Sequence, residues 1–217
     1  MLKRIASELA EHAPFTALGA ASGIIIMIII VLCSVPAQIS YTAFYTLHPL
    51  HVLLSALVTT AMYRKYGRRR VWAAILIGYT GSVGIATLSD SIIPYVGEIL
   101  LRLPHPEGHI GFIEKWWLVN PAALIGVTIG YLRPTTKLPH SGHVLLSTWA
   151  SLFHITMALG GMMNWLLLPL IFLFLFLAVW IPCCLSDIVF PLLFTKGKLP
   201  LPEHFTYNHI LLHNKVV

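Results

Sequence analysis

His48-Pro-Leu-His51-Val-Leu-Leu-Ser55 recurs later in the chain as His140-Ser-Gly-His143-Val-Leu-Leu-Ser147, with six of the eight positions identical. A second shared element follows each copy, Leu88-Ser89-Asp90-x-x-x-Pro94 after the first and Leu185-Ser186-Asp187-x-x-x-Pro191 after the second. The order and the chemistry of both elements are kept, so the chain reads as an internal duplication. What is repeated is histidine and aspartate, the side chains that are costly in an apolar interior, which marks the repeat as a site.

The surroundings of these motifs are apolar. Of the 217 residues, 57% are hydrophobic and only 10% charged, and the mean hydropathy is +0.81. Soluble domains carry roughly a quarter of their residues charged, so the composition is that of an integral membrane protein. Apolar runs able to cross a hydrocarbon core about 30 Å thick fall near 15–38, 41–63, 72–101, 117–133, 142–160 and 163–195. The fourth is short unless Trp116 and Trp117 sit at the interface, and the third and sixth are long enough to require tilt or a break.

Arg64, Lys65, Arg68, Arg69 and Arg70 crowd the loop after the second run, which places that loop in the cytoplasm. Counting outward from it, twelve of the 14 basic residues fall on the same side, and only Arg102 and Lys115 lie outside. Both termini are then cytoplasmic, in a plasma or inner membrane. The net charge of +6 is explained by this asymmetry and by anionic lipid, and calls for no nucleic-acid partner. No cleavable signal is expected, because the first twelve residues lack an apolar core and the run that follows is of spanning length; they read as a short interfacial helix. Cys33, Cys183 and Cys184 lie in apolar runs without C-x-x-C spacing, so no disulfide framework is expected. The cysteine pair before Asp187 is placed to help a soft metal.

The expected fold is all-α, with six transmembrane helices as two three-helix repeats, residues 1–103 and 117–196. An outer loop over 104–116 joins them, and a cytoplasmic tail occupies 197–217. Three crossings is an odd number, so the halves are expected to be inverted, as in many secondary transporters. A homo-oligomer is compatible with this organisation.

On a helix, His48, His51 and Ser55 share one face within about 60° of arc, and so do His140, His143, Ser147 and His154. Two imidazoles spaced i, i+3 and one carboxylate form a ligand set suited to a divalent transition metal, Zn, Fe, Mn or Ni. Antiparallel neighbours bring the start of each H-x-x-H helix beside the end of each S-D helix. The expected ligand sets are His48, His51 and Asp90, and His140, His143 and Asp187. Ser55 and Ser89 are expected to support the first, and Ser147, His154 and Ser186 the second. Proline at Asp+4 frees the aspartate's own carbonyl, because Pro94 and Pro191 have no N–H to return to it.

Each residue also has a plainer reading. A membrane histidine can bond a neighbouring helix, and a serine its own i−4 carbonyl. His105, Glu107, His109 and Glu114 read as a solvated outer loop, His12 and Glu98 as interfacial, and His204, His209 and His213 as part of the tail. Signatures of zinc proteases, serine hydrolases and phosphate-binding loops are absent. The function expected is metal transport through duplicated His/His/Asp sites. The alternatives are a zinc-dependent intramembrane hydrolase acting on lipid and a non-catalytic subunit of a membrane complex.

Overall fold

In the computed structural model the helix bearing the first H-x-x-H motif, α2 (Ala37–Tyr66), is the central strut. Sixteen of its 30 residues are buried, and it packs chiefly against α7, α6 and α3. The model describes residues 2–66, 70–133, 137–161 and 164–194; the side chains of 2–8, 11, 137–141, 187, 188 and 192 lie outside that description. Outside it, therefore, are the side chains of His140 and Asp187, the tail from residue 197, and the middle of the basic loop at Arg68 and Arg69.

The remaining helices are α1 (Leu2–Leu32), α3 (Val71–Thr87), α4 (Ile93–Leu100), α5 (Gly111–Glu114), α6 (Trp116–Leu132), α7 (Lys137–Ala158), α8 (Leu168–Cys184) and α9 (Phe190–Leu193). No strand occurs among the described residues. α1 runs unbroken from Leu2 through Pro14, so residues 2–12 continue the helix instead of forming a separate interfacial one.

Four segments are long and apolar enough to cross a membrane: His12–Leu32, Ala37–Tyr66, Val71–Leu100 and Trp165–Cys184. α6 is apolar but only 17 residues long, and α7 carries the second H-x-x-H motif. Side chains are distributed as a bilayer requires. Leu18, Ile25, Trp72, Leu124 and Leu173 face outward, while His12, Thr16, Ser55, Thr59 and Ser151 are buried. Polar groups in such an interior need partners; the buried threonines of α1 and α7 bond i−4 carbonyls, Thr16 to His12, Thr148 to Val144 and Thr156 to Leu152, whereas Ser55 and Thr59 of α2 reach Ser186.

The two plain apolar helices each pack on the far part of the chain: α1 lies against α7 and α8, and α6 against α2 and α3. Glycine makes the second of these contacts possible. A Cβ on Gly126 would stand 2.2 Å from the carbonyl oxygen of Leu53, and one on Gly130 would stand 2.3 Å from that of Leu57. Backbone therefore touches backbone along a small-x-x-x-small stripe of the kind that drives helix pairing in lipid.

Both S-D-x-x-x-P elements form a single π turn, Leu88–Ile92 between α3 and α4, and Leu185–Val189 between α8 and α9. The cause is the proline. Pro94 cannot donate to the carbonyl of Asp90, and the ladder resets by one residue, with the Ile93 N–H bonded to Leu88 and the Phe190 N–H to Leu185. Such bulges re-aim side chains, and Ser89, Asp90 and Ser91 are all buried in consequence.

Candidate metal centre

His48 and His51, one turn apart on α2, both direct Nδ1 at the same carboxylate oxygen. His48 Nδ1 lies 2.9 Å and His51 Nδ1 2.7 Å from Asp90 Oδ2. The other oxygen, Oδ1, accepts from Ser89 Oγ at 2.7 Å and from Ser147 Oγ at 2.6 Å. Ser151 Oγ bonds the carbonyls of Ser147 (2.8 Å) and Ser89 (3.0 Å), stitching α7 to the π turn. The buried carboxylate thus has four donors from three elements, the condition under which a charge can reside in a membrane interior.

With both Nδ1 atoms donating to Asp90, the basic nitrogens of the neutral imidazoles are the Nε2 atoms. His48 Nε2 is buried without a hydrogen-bond partner and points at Gly111, where a Cβ would fall 2.7 Å from it. The His48 ring stacks on Phe44, centroids 5.4 Å apart. His51 Nε2 lies 4.0 Å from Cys183 Sγ, and the His51 ring lies parallel to that of His143 on α7, centroids 5.8 Å apart.

His48, His51 and Asp90 can hold a metal ion, since each offers one ligand atom and these atoms lie within 4.8 Å of one another. The present separations of 2.7 and 2.9 Å are hydrogen-bond lengths. A tetrahedral ion with bonds of about 2.0–2.2 Å sets its ligands about 3.3 Å apart. His48, His51 and Asp90 would therefore have to part by a few tenths of an ångström, with the two Nδ1 atoms free of protons, to hold an ion.

The supporting serines are exchanged relative to expectation. Ser147 joins Asp90 instead of the second set, and Ser55 of α2 bonds Ser186 across the molecule at 3.0 Å, with Thr59 reaching the Ser186 carbonyl at 3.3 Å. Sequence reasoning paired each serine with its own half, and Ser89 does stay with Asp90, whereas α2 packs against α7 so that Ser55 and Ser147 each meet the other half's π turn. His143 is buried against His51 and His12. The side chains of His140 and Asp187, needed to judge the second set, are outside the described residues.

His154, expected near the second set, pairs instead with Glu98 on α4, Nδ1 to Oε1 at 2.6 Å. Glu98 and His12, read as interfacial, are buried at 0% and 1% exposure. The signal for Ser151 was present in its i+4 spacing from Ser147; Glu98 had none, since one carboxylate near a helix end looks interfacial. In the segment joining α4 to α6, His105 and Glu107 are exposed as expected, whereas His109 and Glu114 are tied down. His109 is buried; Glu114 accepts from the Ile110 N–H at 2.8 Å, from Tyr45, and from His109 at 3.4 Å. Partial burial would raise the Glu114 carboxyl, but the hydrogen bonds from Tyr45, Ile110 and His109 outweigh it and hold the group below its ordinary value.

Comparison of the chain with protein-family models, with curated proteins and with solved structures found no match, so these residues and their geometry carry the functional argument.

Proposed function

We propose that the protein is a membrane transporter of a divalent transition metal, Zn²⁺, Fe²⁺, Mn²⁺ or Ni²⁺, with His48, His51 and Asp90 as one binding set. The observation that carries this is a carboxylate at 0% exposure shared by two imidazoles, between helices apolar enough to cross a membrane. An ionised group in that position needs a counter-charge or an ion, and N/O donors of this kind suit the metals named.

What favours transport over fixed structural binding in this reading is the relation between the two parts of the chain. The duplicated motifs, the duplicated π turns and the reciprocal packing of α1 and α6 support two inverted three-helix halves, six crossings in all, with both termini in the cytoplasm. Polar contacts between halves, Ser147 with Asp90 and Ser55 with Ser186, lie where alternating access would open and close. His140, His143 and Asp187 are the second set in this reading. Metal in transit competes with protons, because an imidazolium has no lone pair to give.

The test is metal uptake into proteoliposomes by wild type, Asp90→Asn and Asp187→Asn. Loss of uptake in both variants, with unchanged elution on size-exclusion chromatography, is the expected result. Uptake unaffected by both substitutions would refute transport through these sites. An asymmetric result, one variant dead and the other silent, would favour a single working centre, as in a zinc hydrolase.

A further inference from the structure

Outside the metal set, the described residues include one more carboxylate–imidazole pair sealed from solvent. Glu98 on α4 and His154 on α7 are 0% and 1% exposed, with His154 Nδ1 2.6 Å from Glu98 Oε1. Packing alone gives no reason for such a pair, since an apolar pair of similar volume is as stable or more so. Its remaining contacts define what it can do. Glu98 Oε2 accepts from the Glu107 N–H at 3.3 Å, and His154 Nε2 accepts from the His109 N–H at 3.4 Å. Both donors belong to the outer loop between α4 and α5.

We propose that Glu98 and His154 form a proton-binding site at the outer end of the membrane core, reached from the outer loop past His109. Nδ1 of His154 already carries a hydrogen directed at Glu98, so Nε2 is the atom that accepts. Its hold on the His109 N–H is at the long limit for a hydrogen bond, which leaves the lone pair available. The step balances: a hydronium O–H, or a ring N–H of a protonated His109, gives up its proton to His154 Nε2 and leaves water or neutral imidazole; the His109 backbone N–H loses its weak bond to Nε2, and Glu98 remains a carboxylate facing the imidazolium.

The groups around the pair fit that role. His109 packs edge-on to His154, centroids 5.5 Å apart, and its own Nδ1 faces Glu114 at 3.4 Å. Glu114 is held by Tyr45, and Lys115 lies over the rings of Tyr41 and Tyr45. His105 is anchored to the end of α7 through its N–H to the Ala158 carbonyl. On the inner side stands Phe44, fully buried, edge-on to His154 at 5.3 Å and stacked on His48 at 5.4 Å. The phenyl ring stands between the proton site and the metal set and touches both.

The site stands on its own geometry; its use in driving metal movement rests on the transport reading above. The direct test is ¹⁵N NMR of histidine-labelled protein in nanodiscs, with His154 assigned by its loss in His154→Gln. The expected result is that Nε2 of His154 changes from a bare to a protonated nitrogen between pH 8 and 5 in wild type, and stays bare down to pH 5 in Glu98→Gln. Glutamine keeps an acceptor for Nδ1 and loses only the charge, so the difference between the two proteins reports whether an ionised Glu98 supports the proton on His154. A wild-type Nε2 that never changes, or one that changes identically in Glu98→Gln, overturns the proposal.

In proteoliposomes, Glu98→Gln is expected to keep equilibrium metal binding within twofold and metal-for-metal exchange, and to lose at least tenfold of uptake driven by a pH gradient. Gradient-driven uptake equal to wild type would overturn the coupling role. Wild-type vesicles that move no metal would remove the transport reading, while the NMR result would decide the proton site by itself.

Discussion

Replacing Asp90 by asparagine and by alanine separates the metal role of this carboxylate from its structural one. Asp90 accepts two imidazole N–H groups on Oδ2 and two serine hydroxyls on Oδ1. Asparagine can turn its carbonyl to the imidazoles and its amide to the serines, whose hydroxyls also accept. Charge-assisted bonds become neutral ones, a loss of about 1–3 kcal/mol in all on typical values, and the fold survives. Alanine leaves two buried imidazole N–H groups without an acceptor, while Ser147 and Ser89, 3.3 Å apart, can still bond each other. At about 1–3 kcal/mol for each abandoned group, Asp90→Ala costs about 2–6 kcal/mol, a large share of a typical total stability of about 5–15 kcal/mol. Thermal unfolding in detergent followed by tryptophan fluorescence should rank wild type above Asp90→Asn, and Asp90→Asn well above Asp90→Ala. Metal affinity, measured by competition with a chelating dye, should fall in Asp90→Asn by at least about a hundredfold, the upper end of what losing a supporting partner alone produces. Equal stability of the two variants would refute the shared-carboxylate geometry.

Gly126→Ala and Gly130→Ala each drive a methyl into a carbonyl oxygen of α2, and should lower stability by about 1–3 kcal/mol as overpacking does, read as a drop in the midpoint of thermal unfolding; no change would mean that α6 and α2 are farther apart. Gly111→Ala places a Cβ 2.6 Å from His48 Cδ2, so the ring must turn, and metal affinity should fall at least tenfold while the helices stay folded by circular dichroism. Acidification should weaken metal binding, since protonated imidazole cannot ligate; affinity that stayed flat from pH 8 to 5 would assign the ion to carboxylates or thiolates. Glu114 has a folded-state value below its ordinary 4.5, so its contribution is complete above that pH and is lost as pH falls through the lower folded value. Protection of the amides in residues 108–115, taken relative to their intrinsic exchange rates, should therefore fall as pH drops well below that ordinary value, and Glu114→Gln should show the lower protection at every pH.

The helical, membrane-embedded character was legible in composition, and the His48, His51 and Asp90 cluster in the coincidence of H-x-x-H and S-D-x-x-x-P. Proline at Asp+4 announced a break in the ladder, though not its form; a π turn is one of several ways to bridge a missing N–H. Ser147 could not be assigned to Asp90 because sequence gives helix faces without saying which helices pack together, here α7 against the π turn after α3. Glu98 was hidden for a related reason. Its burial is created by His154 and the Glu107 N–H, partners far away or outside any motif, and hydropathy cannot report a pair that exists only after the outer loop has closed over α4 and α7.

X-ray absorption at the metal edge, on protein purified with the native chain and loaded to saturation with Zn²⁺, addresses the central claim most directly. The account predicts a first shell of nitrogen and oxygen at about 2.0–2.1 Å with the multiple-scattering pattern of at least two imidazoles, and loss of the imidazole signal from that site in His48→Gln/His51→Gln. A spectrum unchanged by the double substitution, or protein that binds no metal, would contradict it.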